Sequence, residues 1–472
     1  MYDFSKKLKL WAIGLMVVGA IGIIAGFMAA PSTVQDVEQI LADSHHGGGH
    51  DTEAATHGTV DAHGEADHGK SHSEEAHHQE SHGDKAAHAA NAHDNEHTKH
   101  LKHVLVQLQN KPWAALYVAC FFFMMIALGA LAFYAINRAA QAGWSPLLFR
   151  VMEAITSYLP VGLVIMLIIL GISTVGHGNH LFAWMHADLD PTSIDYDKLI
   201  DNKKGWLNGG SFMIRAFIFA GLWTAYQVVS KKWSRAQDEA SDDKYFKKNF
   251  MLSAGFLVVF LYSESIMSWD WIMSFDPHWY STLFGWYVFA SMFVSGITVI
   301  ALVTIFLKSG EKDYLPKVSN SHIHDLAKFM FGISIFWTYL WFSQFMLIWY
   351  ADIPEEVTYF VTRIQDYNLP FFGMVVMNFV FPILVLMNSD FKRVNWFVVI
   401  AGIVILLGHY VDIYVMVMPA TVGTQWSIGL PEVSSVLFFL GLFIYVVFTA
   451  LTKAPLEPKR NPFIHESEQF HY

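Results

Sequence analysis

A single cysteine in 472 residues, Cys120, excludes a disulfide framework, a thiolate-bound iron–sulfur cluster and the C-x-x-C-H attachment of a c-type haem. If electrons pass near this chain, other subunits carry them. Charge is scarce too: Asp, Glu, Lys and Arg are 15% of residues against 54% hydrophobic ones, too few to build a water-soluble surface. What is abundant is apolar and aromatic, with 38 Phe, 19 Tyr and 16 Trp. The apolar residues gather in blocks of about twenty, the length that crosses a hydrocarbon core roughly 30 Å thick.

These blocks run over 10–30, 113–136, 151–175, 211–229, 250–269, 283–307, 326–349, 370–388, 396–418 and 433–451. Isolated strands cannot satisfy their backbone in lipid, so each block predicts a helix and the chain an all-α polytopic membrane protein of about ten spans. The first follows Lys6, Lys7 and Lys9 as a signal peptide would. It offers no small-x-small cleavage site before Pro31, where Phe27 and Met28 stand, and is expected to remain as an anchor.

With ten spans both termini share a side. The segments on that side carry 19 Lys and Arg, and the opposite segments carry 9 over nearly twice the length. The positive-inside rule therefore predicts cytoplasmic termini, with the long first loop outside.

That loop contrasts with everything else. From Ser44 to His103 it holds 15 of the 24 histidines, mixed with Gly, Ala, Asp, Glu and Ser, and it has too few apolar residues to order itself as a core. One reading is a buffer for zinc, copper or nickel. The other is a solvated linker in which pairs such as His45–His46 and His77–His78 bind metal only adventitiously. From Lys99 to Gln109 the pattern turns amphipathic, which predicts a short surface helix before Pro112 and Trp113 enter the membrane. Two further outer loops are acidic, one with Asp188, Asp190, Asp195, Asp197 and Asp201, the other with Asp352, Glu355, Glu356 and Asp366. They read either as docking surfaces for a basic partner or as solvated loops.

An ionisable side chain at membrane depth costs about 2.5–3.5 kcal/mol on insertion scales, which makes each one a functional hypothesis. Glu153, Arg215, Glu264, His409 and Asp412 are the candidates, accompanied by Gln344 and Asn378. His409 and Asp412, three apart, share a helix face and suit proton relay, although a satisfied interface histidine beside a structural carboxylate has the same spacing. Glu264 lies between Ser263 and Ser265, and Arg215 is expected at a similar depth, which predicts that these two face one another. That pair is either a structural tie or part of a quinone or proton site. A membrane b-type haem needs two facing histidines, and His409 alone lies well inside a span, so no haem ligand set is expected from this chain.

The most distinctive stretch joins spans five and six: Trp269-Asp270-Trp271-Ile272-Met273-Ser274-Phe275-Asp276-Pro277-His278-Trp279-Tyr280-Ser281-Thr282-Leu283-Phe284-Gly285. Physically it predicts a rigid interfacial hairpin, with Trp and Tyr at the headgroup level, Pro277 ending one element and Asp276 placed to cap a turn or the next helix. The run resembles the signature of the membrane subunits of bacterial alternative complex III, a quinol:cytochrome c oxidoreductase, which are in turn similar to the polysulphide-reductase (NrfD-like) membrane anchors. Asp270, Asp276, His278 and Trp279 match the motif, and no catalytic role is carried over with them. The anchor span, long first loop and ten-span length resemble the branch of second quinone-binding subunits. The resemblance covers about residues 1–30 and 105–455 and leaves the His-rich insert outside.

The resemblance implies two four-helix bundles, spans two to five and six to nine, flanked by spans one and ten. The expected organisation is an anchor at 1–30, a periplasmic His-rich loop at 31–104, a first bundle at 113–269, the signature hairpin at 270–282, a second bundle at 283–418, a last span at 433–451 and a cytoplasmic tail at 452–472. It also implies a bacterial inner-membrane location. The partners it implies are a paralogous NrfD-like subunit, a periplasmic iron–sulfur subunit, c-type cytochrome subunits, lipids and quinone, with no nucleic acid. Haem c and iron–sulfur clusters would then sit in those partners, and this chain alone would bind no cofactor beyond a quinone. Glu264, Asp270, Arg215, His409 and Asp412 are its candidate proton path or quinone pocket. The rival readings are a metal transporter with a His-rich loop, which has few ligands on facing helices, and a purely structural scaffold.

Overall fold

The computed structural model describes residues 2–47, 82–175, 178–310 and 312–471, and of these the side chains of all but 43–47 and 82–96. Among the described residues, ten helices are long and apolar enough to cross a membrane: α1 Lys6–Met28, α2 His97–Ala139, α3 Pro146–Val175, α4 Gly209–Gln237, α5 Lys244–Phe275, α6 Phe284–Ser309, α7 Asn320–Ala351, α8 Asn368–Leu386, α9 Asn395–Val422 and α10 Leu430–Leu451. No β-strand occurs among the described residues. The chain is an all-α polytopic membrane protein.

Residues 31–108 form a unit of their own, in which Val37, Leu101 and Val104 make a small apolar cluster. The amphipathic stretch 99–109 is not the separate surface helix its pattern predicts. It runs without a break into the apolar part of α2, with Pro112 inside the helix. His77 and His78 lie outside the described residues, and so do the side chains of His45 and His46.

Within the membrane unit, α6 packs on α5, α7 and α9, α8 on α7 and α9, and α4 on α3 and α5. This is the arrangement of two bundles, α2–α5 and α6–α9. α2 and α6 are the most buried helices, and they cross where neither has a side chain. A Cβ on Gly129 would stand 2.0 Å from the Met292 carbonyl oxygen, and one on Gly296 2.4 Å from the Ala130 nitrogen. Lipid supplies no hydrophobic drive between helices, so close backbone approach at small residues supplies the packing instead. The flanking pair repeats the device: Gly19 and Gly22 of α1 meet Phe438 and Ser434 of α10, and Gly441 of α10 meets Ala12. Tyr2 packs its ring on Phe448, so the chain's start and the end of α10 share one end of the molecule.

At the opposite end, the α-helical part of α5 ends at Trp271, its last turn, Met273–Phe275, is 3-10, and α6 begins at Phe284. The stretch is a tight hairpin, as its aromatic and proline content predicts. Its local cap is Ser281 rather than Asp276, because the Ser281 hydroxyl accepts the Leu283 amide at 3.2 Å and no side chain caps α6 directly. Tyr117 of α2 pins the turn by donating to the Trp271 carbonyl at 2.6 Å.

Candidate functional site

α9 carries His409 and Asp412 one turn apart, and both are fully buried. Asp412 is an acceptor surrounded by donors from two other helices. Tyr287 and Ser291, four apart on α6, both donate to it, Tyr287 by a short bond to Oδ1 and Ser291 to Oδ2 at 2.9 Å. Trp337 of α7 donates its Nε1 hydrogen to Oδ2 at 3.0 Å. The imidazole joins from the side, with His409 Nδ1 at 2.9 Å from Ser291 Oγ and 3.4 Å from Asp412 Oδ2. A hydroxyl donates one proton and accepts another, so Ser291 can pass a proton between the imidazole and the carboxylate by rotating. His409 Nε2 is buried without a hydrogen-bond partner.

Asn378 completes the cluster through an irregularity in α8. Residues Val376–Val380 form a π-helical turn, followed by Pro382, and such turns recur at functional sites. The turn brings the Asn378 amide to 3.4 Å from His409 Nδ1. Gly408 makes room for it, since a Cβ there would stand 2.1 Å from Asn378 Oδ1.

Toward the hairpin end, Asp412 borders a cavity of about 20 Å³, lined also by Tyr287, Gln344, Tyr359, Arg363 and Trp279. That is room for one water. Arg363 belongs to a helix, Pro354–Gln365, between α7 and α8. Its guanidinium lies over the Tyr359 ring, 3.3 Å from the centroid, and donates to the Tyr359 carbonyl at 2.8 Å. Trp279 of the signature stacks ring to ring with Tyr359 at 3.8 Å, and Ser281 donates to Gln344. The hairpin thus closes the end of the second bundle above Asp412.

The first bundle holds a second set of polar groups. Arg215 does not face Glu264 as depth predicts; it pairs with Asp270. Arg215 Nε and Nη2 donate to Asp270 at 2.5 and 3.0 Å, Trp206 Nε1 adds a third donor at 2.9 Å, and the guanidinium lies 4.1 Å over the Trp206 ring. The reason is reach: six residues beyond Glu264, Asp270 lies at the helix end where Trp206 and Arg215 arrive together. Glu264 is 2% exposed, its Oε1 has no hydrogen-bond partner, and it borders a cavity of about 170 Å³ lined by Leu257, Phe260, Trp286 and Phe289. Glu153 is paired by Arg150 at 2.8 Å and by Arg138 at 3.7 Å, and Tyr134 donates to it at 3.2 Å.

In the hairpin, His278 is half exposed and its Nε2 meets Asp197 Oδ2 at 2.6 Å. Burial raises the Asp197 carboxyl, but the Ile200 amide, His278 and the Leu199 amide outweigh it and hold the group below its ordinary value. Asp197 also caps the short helix Lys198–Lys203, and Asp188 and Asp190 accept amides of their own turn. Much of the acid in this loop is used locally.

Tyr287, Ser291, Trp337 and Arg363 are the residues that sequence reasoning did not bring to the site. The i, i+4 spacing of Tyr287 and Ser291 on an otherwise apolar helix was the available signal. Among the described residues no three His, Cys, Asp or Glu side chains converge as a metal site would require. No protein-family model matches this chain, and no curated protein matches it.

Proposed function

We propose that the chain is an integral subunit of a bacterial inner-membrane quinol:cytochrome c oxidoreductase of the alternative complex III type, of the branch called quinone-binding subunit 2 (ActF), and that its second bundle relays protons. The observation that supports this best is the buried Tyr287–Ser291–His409–Asp412–Trp337 cluster, which ends at a cavity with room for one water beside Arg363. A hydrogen-bonded acid and imidazole in a bundle interior provide acceptors and rotatable hydroxyls for proton transfer but no site for an electron. The subunit anchors its partners, and the redox centres, haem c and iron–sulfur clusters, belong to them: a periplasmic iron–sulfur subunit, c-type cytochromes and a paralogous membrane subunit.

A quinone pocket in this same subunit is favoured by one observation, the Glu264 carboxyl, whose Oε1 has no hydrogen-bond partner, on an apolar cavity of about 170 Å³. Metal transport is poorly supported, because the side chains around His409 and Asp412 are Ser, Tyr, Trp and Asn, which are poor ligands for zinc, copper or nickel. Purification through a C-terminal tag in mild detergent, with identification of the accompanying chains and a haem spectrum, tests the assignment. Co-purified multi-haem cytochrome and iron–sulfur subunits are expected. Recovery of a lone, colourless protein would defeat it.

A further inference from the structure

At the end of the membrane unit that holds the two termini, four cations of α2, α3 and α4, Arg138, Arg150, Lys231 and Arg235, gather near two carboxylates, Glu153 and Asp238. Arg150 donates to Glu153 at 2.8 Å and to Asp238 at 2.5 Å, and Arg138 lies 3.7 Å from Glu153. These two arginines balance the two carboxylates. Among the described residues, no carboxylate oxygen lies within 4.0 Å of Lys231 or Arg235, four apart on α4. Lys231 Nζ donates to the Ser157 hydroxyl at 2.5 Å, a neutral acceptor.

Both cations line a narrow notch together with Arg150 and its ion-pair partner Glu153, so three cations face one carboxylate there, and Ala450, Leu451 and Pro455 at the end of α10 form its wall. The notch has about 10 Å³ of space, enough to seat one oxygen atom. Two donors at the site lack an acceptor: Arg150 Nε, on a side chain that is 4% exposed, and Arg235 Nε are both buried without a hydrogen-bond partner. Lys453 follows α10 immediately and is exposed. Arginine forks match the tetrahedral oxygens of a phosphate, and basic pockets between helix ends at a membrane surface take anionic headgroups.

We propose that this notch binds the phosphate of an anionic phospholipid, one phosphoryl oxygen entering between Lys231, Arg235 and Arg150 while the acyl chains lie along the neighbouring helices. The lipid, rather than free phosphate, is the source favoured here, because the notch is cut between the ends of three membrane helices, α3, α4 and α10. The site does not depend on the respiratory assignment, since it uses none of the residues around Asp412.

The test uses the full chain, in whatever complex it purifies with, after delipidation in a neutral detergent. Its thermal transition is measured with phosphatidylglycerol, with phosphatidylcholine, and with millimolar inorganic phosphate. Phosphatidylglycerol is expected to raise the transition by about 2–5 °C and the other two to leave it unchanged. Lys231→Met with Arg235→Gln should abolish the shift, while Lys231→Arg, which keeps the charge, should retain it. Equal shifts from both lipids, a full shift in the double variant, or a shift with inorganic phosphate and none with phosphatidylglycerol would each overturn the proposal.

Discussion

Asp270 has no exposed side-chain surface, and two of its three donors come from one residue, Arg215. Arg215→Met keeps the apolar stem but leaves a buried carboxylate with Trp206 as its main donor. Breaking a buried pair from one side costs about 3–5 kcal/mol, because the surviving charge stays desolvated. Arg215 is slightly exposed, at 14%, so the lower half of that range is the better guide. Arg215→Met with Asp270→Leu removes both charges and leaves the Trp206 N–H without its acceptor, at about 1–3 kcal/mol. The Ser211 hydroxyl and the exposed Trp206 carbonyl lose Arg215 in the single and double variants alike. The double variant should therefore be more stable than the single one, which inverts simple additivity. Thermal unfolding of the purified protein, followed by tryptophan fluorescence, reads both. A single variant as stable as the native chain, or a double variant that loses the sum of the two single effects, would refute the view that Arg215 neutralises Asp270.

Other outcomes follow from the same geometry. Gly296→Val, placed where a Cβ would meet the Ala130 backbone at 2.4 Å, should cost at least about 1–3 kcal/mol and reduce monodisperse yield on size exclusion, whereas Gly221→Ala, with nothing within 4 Å, should be neutral or stabilising by up to about 1 kcal/mol. Equal yields for the two would contradict the α2–α6 crossing. Asp197 has a lowered carboxyl, so its stabilisation is present above its ordinary value of 3.8 and is lost as pH falls through the lowered one. Limited proteolysis of the 188–208 loop should accelerate only in that acid range, and in Asp197→Asn the loop should be cleaved readily at neutral pH as well. Asn378→Leu, which removes the amide beside His409, should alter proton-linked turnover while leaving assembly intact; normal turnover would take the π-turn out of the relay.

Much of this architecture was legible because lipid imposes a length on every crossing helix. The ten apolar blocks each became a helix, and the errors lie at the ends, where α3 starts at Pro146 and α5 runs on to Phe275. The amphipathic pattern of Lys99–Gln109 predicts a separate surface helix, but the helix propagates through Pro112 into the apolar span.

For the site, the His409–Asp412 spacing fixed a shared face, and burial agreed. Their partners could not be read from spacing, since contact between α9, α6 and α7 depends on how the bundle closes. The Arg215 partner failed for the same reason: depth along a helix says little about which of two carboxylates on the facing helix an arginine reaches. Arg363 lies in the acidic stretch between two spans, and the packing of Pro354–Gln365 turns it inward, where it is buried.

The most direct test of the central claim is the count of protons released per cytochrome c reduced, measured with a pH indicator on the purified complex in liposomes, native against Asp412→Asn. The variant keeps the side chain's shape but cannot take up a proton at that position. The account predicts intact assembly and unchanged haem content, with proton-linked turnover at least about tenfold lower. Native turnover and native proton release in Asp412→Asn would contradict it.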